Sequence, residues 1–587
     1  MYRYILILLL FPLSFALSQD ANDVDVRIIE LSKDIRERMR ASFNAQEFRK
    51  LPAQSIEKML NDEEKRRLAN EYLQFEVSQD GTLYIFHDNR LLDEREPFWL
   101  FEPSFERTEL TLEAYQKTFT AYKQDVSAGR ISLGVHALRT YREHYIVVFV
   151  ADDDTSTTQI VPVEGYDVRA TPFILGAQPW LDRSVKLDNI PETLNNATLI
   201  QLQSQRRKLV SLYDYFNVTE YPAKSSPDQV FLTVTESPST EMYIQWRTSL
   251  SSPNTELRIK EVNSEAYRYF KANSKQIDSL YTVNDKSVFR HSVKVTDLKP
   301  NTQYQYQIRV SQGNWEYENS FTTAPESGAF TFWYFGDVQE GFDDFEDLLL
   351  SSQATLPKPA FAIFAGDLVS MGNHSDDWDA FLNVWQKYGG SIPMAPAVGN
   401  HEILPNKRFD LYADVMRLPE NGPQQQQAER AYWFKWADSL FVSLDSNSDD
   451  GQTQWLENTL LEKREHVSQI FSIAHHGAFT SRPGRYYSLV SEKWRPLWEH
   501  FGVELVMQGH DHAYLRSIPQ ALDNDKGTVY VIATAGSKFY PQAKHAYAAH
   551  SFTDIATIQI ITVDPNDDTF KYRAISKNGI VVDAFTH

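Results

Sequence analysis

The sequence predicts a multidomain chain in which an N-terminal α+β domain and a β-sandwich precede a C-terminal α/β body. Three observations predict it. The 587 residues exceed what one core holds and correspond to roughly three or four domains of ordinary size. The apolar pattern changes rhythm twice, at Tyr221-Pro222-Ala223-Lys224-Ser225-Ser226-Pro227 and at Ala324-Pro325-Glu326-Ser327-Gly328, both linker-like in composition. Beyond the second break, unbroken apolar runs each end in a polar residue, the pattern of strands buried on both faces.

The chain begins with the pattern of an export signal over residues 1–18. Arg3 supplies the positive region, residues 5–13 the apolar stretch, and Ala16-Leu17-Ser18 the small residues before Gln19. The apolar run is shorter than the ~20 residues a membrane span needs and contains Pro12, and no other stretch is long enough. The expectation is an exported, periplasmic or secreted protein without a stable membrane span. Cysteine is absent, so disulfides and thiolate ligands are excluded and any metal must be held by oxygen and nitrogen. A net charge of -21 argues against nucleic acid as a partner. A small phosphorylated substrate remains compatible, because bound cations reverse the sign locally. Asn196 and Asn217 begin glycosylation sequons, short patterns that recur by chance.

Residues 19–220 form the expected α+β domain. Ile28, Leu31, Ile35 and Met39 recur at helical spacing, and Ile56, Met59, Leu60 and Leu68 continue it. Thr82-Leu83-Tyr84-Ile85-Phe86 and Tyr145-Ile146-Val147-Val148-Phe149-Val150 are dense in β-branched and aromatic residues and read as strands. Asp152-Asp153-Asp154 reads as a solvated turn after the second of these. No chemistry is legible in this part of the chain.

Residues 226–325 change to a two-residue period. Met242, Ile244 and Trp246 alternate with polar neighbours, as do Val293 and Val295, which predicts short strands of a β-sandwich. The turn entering a strand at Leu298-Lys299-Pro300-Asn301-Thr302-Gln303-Tyr304 resembles that of a fibronectin type III-like domain. From residue 329 to 587 the runs Phe332-Trp333-Tyr334-Phe335, Ala360-Phe361-Ala362-Ile363-Phe364-Ala365 and Ile470-Phe471-Ser472-Ile473-Ala474 end at Asp337, Asp367 and His475. Ligand groups collect at the carboxyl ends of strands in such sheets.

Five motifs sit at those ends: Gly336-Asp337, Gly366-Asp367, Gly399-Asn400-His401-Glu402, Ala474-His475-His476 and Gly509-His510-Asp511-His512. Singly, each has a bland explanation as a turn or a structural histidine. Together, in order and after apolar runs, they offer only hard or borderline metal ligands. One residue separates His510 from His512. On an extended backbone the two rings emerge alike, whereas a turn lets them diverge toward neighbouring metals. A carboxylate such as Asp367 can bridge two cations, so that one water feels both and ionises near neutral pH. The preceding glycines allow tight turns and close approach.

The ordered set resembles the metallophosphoesterases, and within them the purple acid phosphatases, over about residues 225–587. Pro227-Asp228-Gln229-Val230 and Ile244-Gln245-Trp246-Arg247-Thr248 look like the domain that precedes the catalytic one in that group. The resemblance implies an α/β/β/α sandwich as catalytic fold, and two metals. Asp337, Asp367 and His512 would hold one, and Asp367, Asn400, His475 and His510 the other. Asp367 would bridge, and His401 would bind phosphate or protonate the leaving alkoxide. Glu402 would support the ligands from behind. Ser370 stands where purple enzymes carry a tyrosinate ligand, which turns the expectation from Fe(III) to two divalent ions, Mn, Zn, Fe or Mg. Gln339 stands two residues after Asp337, where relatives often carry histidine, and is either a ligand through its amide oxygen or a structural hydrogen bonder. The paired histidines of plant enzymes are absent after Phe479, leaving His401 as the expected acid and His476 as its alternate.

The implied activity is hydrolysis of phosphate esters, monoesters foremost, by attack of a metal-bound hydroxide. The alternatives are a phosphodiesterase or nucleotide phosphohydrolase and, from another class, a non-catalytic exported binding or adhesion protein. Substrate choice rests with loops 371–377, 405–430 and 480–487, where His374 and Arg485 could reach a substrate.

Overall fold

The computed structural model describes residues 26–587 apart from residues 44–46, 49, 93–96, 102–103, 115, 139–142, 154–158, 164–165, 184, 205–209, 214–215, 280, 311–312, 405–409, 522–525 and 565–568. The expected export signal, Asp154 and the start of loop 405–430 lie outside the described residues. The chain divides into two compact units between Phe216 and Asn217. Among the described residues no helix is long and apolar enough to cross a membrane.

In the first unit the helical spacing near the start forms the helix Val26–Ser42, with Ile28, Ile35 and Met39 buried. After the short helix Ala53–Glu57, the helix Asp62–Asn70 starts at Asn61 in a capping box with Glu64, which satisfies two otherwise unpaired amides. The two strand-like runs become Gly81–Asp88 and Ile146–Ala151, neighbours in a seven-stranded antiparallel sheet. Gly81 is required there, because a Cβ would stand 2.3 Å from the Val150 carbonyl oxygen. Asp152 and Asp153 are exposed at the turn beyond.

The second unit holds both the sandwich and the α/β body, and one ten-stranded sheet runs through them. Strands Asn273–Asp278, Ser287–Val295, Met242–Ser249 and Asp228–Thr233 make the sandwich half of that sheet. Asp228–Thr233 then pairs in parallel with Met394–Pro396 through Thr233 and Met394. The sheet continues through Ala362–Phe364 and Phe330–Phe335 to the antiparallel strands Ile558–Asp564, Thr569–Ser576 and Ile580–Thr586. A four-stranded sheet, including Thr255–Glu261 and Gln303–Val310, closes the sandwich over Ile244, Trp246, Ile259, Tyr306 and Phe321. The two-residue alternation had this cause: one side of each strand meets this core. Where the sandwich meets the body, buried Arg247 donates to Asp228 (2.9 and 2.8 Å) and to Asp379 (2.6 Å) on the helix Ser375–Gly389.

The body is layered helix, sheet, sheet, helix. Its second sheet has seven strands, among them the parallel set Ser439–Leu444, Gln469–Ala474, Leu505–Gln508 and Val529–Ile532. Phenylalanines interlock between the sheets. Phe332 stacks on Phe361 at 5.1 Å and meets Phe441 edge-on at 5.3 Å, while Phe441 stacks on Phe471 at 5.0 Å. Removing one such ring costs about 3–5 kcal/mol. The helices Phe342–Ser352 and Ser375–Gly389 cover the ten-stranded sheet through Phe345 and Trp385. The helices Gln452–Lys463 and Arg495–Phe501 share the core on the other side of the seven-stranded one. Strands buried on both faces explain the unbroken apolar runs.

Candidate metal centre

Parallel register brings the motif residues together. Trp333 pairs with Ala362, and Ala362 with Met394, so Asp337, Asp367 and Asn400 follow three adjacent strands leaving the sheet at one edge. His475 follows Gln469–Ala474, and His510 and His512 follow Leu505–Gln508, neighbouring strands of the facing sheet. Both sheets thus deliver polar residues to one place.

Two groups of ligand atoms result. One atom each of Asp367, His475 and His510 lie within 4.8 Å of one another, and so do one atom each of Asp337, Asp367 and His512. Asp367 is common to both. Asn400 joins the first group, its Oδ1 3.2 Å from His475 Nε2, which is itself 3.1 Å from His510 Nδ1 and from Asp367 Oδ2. His510 and His512 occupy a turn, both at positive φ (72° and 47°), so the rings diverge into different groups. Asp337 (37°) and Asp367 (54°) are left-handed as well. Such backbone costs on the order of 1–3 kcal/mol per non-glycine residue and gathers at functional sites. Of the glycines expected to make the turns, Gly366 alone has positive φ. Gly399 acts by proximity, since a Cβ there would stand 2.2 Å from Asp367 Oδ1.

The surroundings fix the donors. His475 Nδ1 lies 2.8 Å from the Ala365 carbonyl and His512 Nδ1 3.1 Å from that of Lys538, which turns each Nε2 toward the carboxylates. Glu402 accepts the amides of Asp367 (2.8 Å), Gly399 (2.6 Å) and Leu368 (2.8 Å). His401 lies at the margin. Its Nδ1 is 2.6 Å from the Ser370 carbonyl and its Nε2 4.0 Å from Asp367 Oδ2. His476 is buried, bonded to Ser446 (2.8 Å) and packed on His510 and Tyr487. Gln339 Nε2 donates to Asp367 Oδ2 at 3.1 Å and lies 3.2 Å from His512 Nε2. Turning the amide over would bring Oε1 to the same place.

Electrostatics favour a cation here. Burial raises Asp337, with the Asp367 charge adding to it. Burial also opposes ionisation of Asp367, but His475 and His401 outweigh it and hold that carboxyl below its usual range. Burial lowers His475, yet Asp367 and Asp337 carry it up to about 9. Burial brings His512 down to about 3, aided by Lys538, and lowers His510 well below the usual value. His510 and His512 are therefore neutral imidazoles, whereas His475 holds a proton drawn by the two carboxylates, a positive charge that a metal ion would replace. Asp337 Oδ2 is buried without a hydrogen-bond partner, a cost of about 1–3 kcal/mol or more unless a cation meets it. The donor set, the shared carboxylate and this orphaned oxygen all fit a pair of metal ions.

The two loop residues expected near a substrate have other partners. His374 lies 3.0 Å from Asn217 Nδ2 and under the Tyr281 ring; Asn217, a sequon residue, is itself buried. Arg485 donates to Asp511 (2.7 Å) and to the His510 carbonyl (3.0 Å). Sequence reasoning missed the Ala365 and Lys538 carbonyls and the rings of Tyr487 and Tyr540, which lie against His510 and His512. Backbone carbonyls leave no sequence signal.

Residues 227–323 match the family model described as Purple acid Phosphatase, N-terminal domain, and residues 330–514 that of Calcineurin-like phosphoesterase. The chain is 26% identical over 321 residues to a purple acid phosphatase of Glycine max, covering 50% of this chain and 67% of that protein. It is 24% identical over 359 residues to probable inactive purple acid phosphatase 27 of Arabidopsis thaliana, covering 51% of this chain but 57% of the relative. The chain thus spans little more than half the length of some curated relatives it matches. Among solved structures, purple acid phosphatase PPD1 from yellow lupin seeds superposes with a TM-score of 0.52 at 16% identity, covering 67% of this chain and 77% of that one. The resemblance read from the motifs holds in both segments, and the likeness of fold extends across them.

Proposed function

We propose that the chain is an exported phosphohydrolase that cleaves phosphate monoesters at a binuclear metal centre. Its catalytic domain would span residues 329–587, after a fibronectin type III-like sandwich over 226–325 and an α+β domain of separate role over 19–220. The observation that carries the reading is the pair of ligand groups sharing Asp367. Asp337, Asp367 and His512 would hold one ion, and Asp367, Asn400, His475 and His510 the other. Two divalent cations held there would polarise phosphoryl oxygens and lower the pKa of a water by several units.

The remaining work falls to the chain's own residues. Asp367, anchored through its amide to Glu402 and through Oδ1 to the His401 amide (2.9 Å), keeps both ligand sets in register. Ser370 orients His401 through its carbonyl, so that Nε2 faces the site and can hand a proton to the departing alkoxide. His476 is better engaged with Ser446 than with a leaving group. Ser370 takes part through its backbone, which supports divalent ions over a tyrosinate-bound Fe(III).

Purified protein should contain close to two equivalents of divalent metal, hydrolyse an aryl phosphate monoester faster than a diester, lose turnover to a chelator and regain it with a divalent cation. Turnover indifferent to chelation would sink the reading. A metal-loaded protein inactive on both ester types would favour the non-catalytic alternative.

A further inference from the structure

Loop 480–487 brings to the metal centre a cation that the proposed chemistry does not use. Asp511, between His510 and His512, fixes the loop: its Oδ2 accepts the Ser481 amide (2.5 Å), the Ser481 hydroxyl (3.1 Å) and the Arg482 amide (3.3 Å). Tyr540 lies against His512 with ring centroids 4.8 Å apart, and its amide donates to the His512 carbonyl at 3.2 Å. Three cations gather on the Tyr540 ring, Arg482 at 4.0 Å, Arg485 at 5.5 Å and Lys538 at 5.7 Å. Two are neutralised, Arg485 by Asp511 at 2.7 Å and Lys538 by Glu340 at 3.0 Å. Arg482 has no ion-pair partner among the described residues and is partly exposed.

An unpaired guanidinium beside a catalytic centre, in a chain of net charge -21, marks a place for an anion. Its two ring contacts put it no farther than about 9 Å from the His512 ring. Stacking on Tyr540 restricts the side chain in advance, so less freedom is lost when its fork meets an anion. The metal ligands and His401 already provide for the scissile phosphate in the proposed chemistry, which leaves Arg482 for a second anion.

We propose that Arg482, stacked on Tyr540, is a specificity residue that binds a second anionic group of the substrate. The preferred substrates are then phosphomonoesters carrying another phosphate or a carboxylate several bonds from the scissile ester. This rests on the phosphohydrolase reading above.

The test compares 4-nitrophenyl phosphate with fructose 1,6-bisphosphate and 3-phosphoglycerate, using the metal-loaded wild type, Arg482→Ala and Arg482→Lys. Arg482→Ala should raise KM about tenfold for the doubly anionic substrates, equivalent to about 1.4 kcal/mol, with kcat and the aryl ester changed less than about twofold. Arg482→Lys should recover part of the loss, and added salt should narrow the difference. The bisphosphate and carboxylate arms report which anion is preferred. Labelling of Arg482 by phenylglyoxal, followed by mass spectrometry, should be slowed by the bisphosphate and not by inorganic phosphate. An Arg482→Ala effect that is equal across all three substrates, or absent, overturns the proposal, as does labelling that the bisphosphate leaves unchanged. Failure of the wild type on the aryl ester would count against the phosphohydrolase reading instead, and the labelling would still decide for Arg482.

Discussion

Each unit of the molecule buries a cluster of histidines, and among the described residues only the cluster in the second groups ring nitrogens with carboxylates in a way that could hold a metal ion. In the first unit His87, His136 and His144 are fully buried with rings stacked in a row at 5.6 and 5.2 Å. The partners of His87 Nε2 and of His144 are neutral: His87 Nε2 lies 3.3 Å from the His136 carbonyl, His144 Nε2 2.8 Å from the Tyr72 hydroxyl, and His144 Nδ1 3.0 Å from the Tyr145 carbonyl. Asp88, next in sequence to His87, gives its carboxylate to Arg90 (2.9 Å) and the Glu143 amide (3.1 Å). In the second unit His475, His510 and His512 face Asp337 and Asp367 instead. Burial and imidazole are common to both. What separates them is carboxylate oxygen grouped with the ring nitrogens in the second, placed by strand ends whose residues accept left-handed backbone.

Asp367→Asn breaks the comparison most severely, because it makes the second cluster resemble the first. Both ligand groups lose their shared charge, so metal content should fall and turnover of an aryl phosphate should drop at least about a thousandfold, several kcal/mol of transition-state stabilisation. Elemental analysis and steady-state kinetics on the same preparation check both.

The first cluster is tested by acid. Burial holds His87 down at about 4 against 6.5 for the unfolded chain. A depressed histidine binds protons more readily unfolded than folded, so the first unit keeps its stability above pH 6.5 and loses it as pH falls from 6.5 toward 4. The loss is about 3 kcal/mol when complete. Urea unfolding across that range, followed by hydrogen exchange within residues 26–216, should give a slope that His87→Phe removes. A pH-independent midpoint would mean that the buried ring protonates without cost.

His401 sharpens the comparison from the other side, as an imidazole beside the ligand groups and outside both. His401→Ala should keep both metals and lower kcat about a hundredfold on substrates with poor leaving groups, with a smaller loss on aryl esters that leave without a proton. Equal losses on both would assign it to phosphate binding.

How much of this was legible follows from where each signal lives. Phe332-Trp333-Tyr334-Phe335 and Ile470-Phe471-Ser472-Ile473-Ala474 carry the signature of strands buried on both faces, and a polar residue that ends such a run has to stand at the sheet's edge. Convergence of the motifs could therefore be read. The single sheet joining sandwich and body could not, because it depends on one backbone pairing between Thr233 and Met394, which any side chains would permit. Nor could the roles of Ala365 and Lys538, whose carbonyls orient His475 and His512. The left-handed φ of Asp337 and His510 reverses the expectation that adjacent glycines would make the turns. Stacked histidines in the first unit were invisible because His87, His136 and His144 come from separated segments with no motif between them.

Gln339 offers the smallest and finest distinction, since its amide sits among ligand atoms as a hydrogen-bond donor. Nε2 approaches Asp367 Oδ2 and His512 Nε2 while Oε1 is buried without a partner. As a donor it steadies the shared carboxylate, and Gln339→Ala should weaken metal binding about tenfold, in the range for residues that support ligands from behind. Gln339→Glu then separates the two roles. If the amide donates, a carboxylate at this position repels Asp367 and weakens binding further than alanine does. If the amide oxygen is a ligand, the added charge tightens binding instead. Metal affinities of the three proteins, measured by competition with a chelating dye, decide between them, and the donor geometry predicts the order wild type, Gln339→Ala, Gln339→Glu from tightest to weakest.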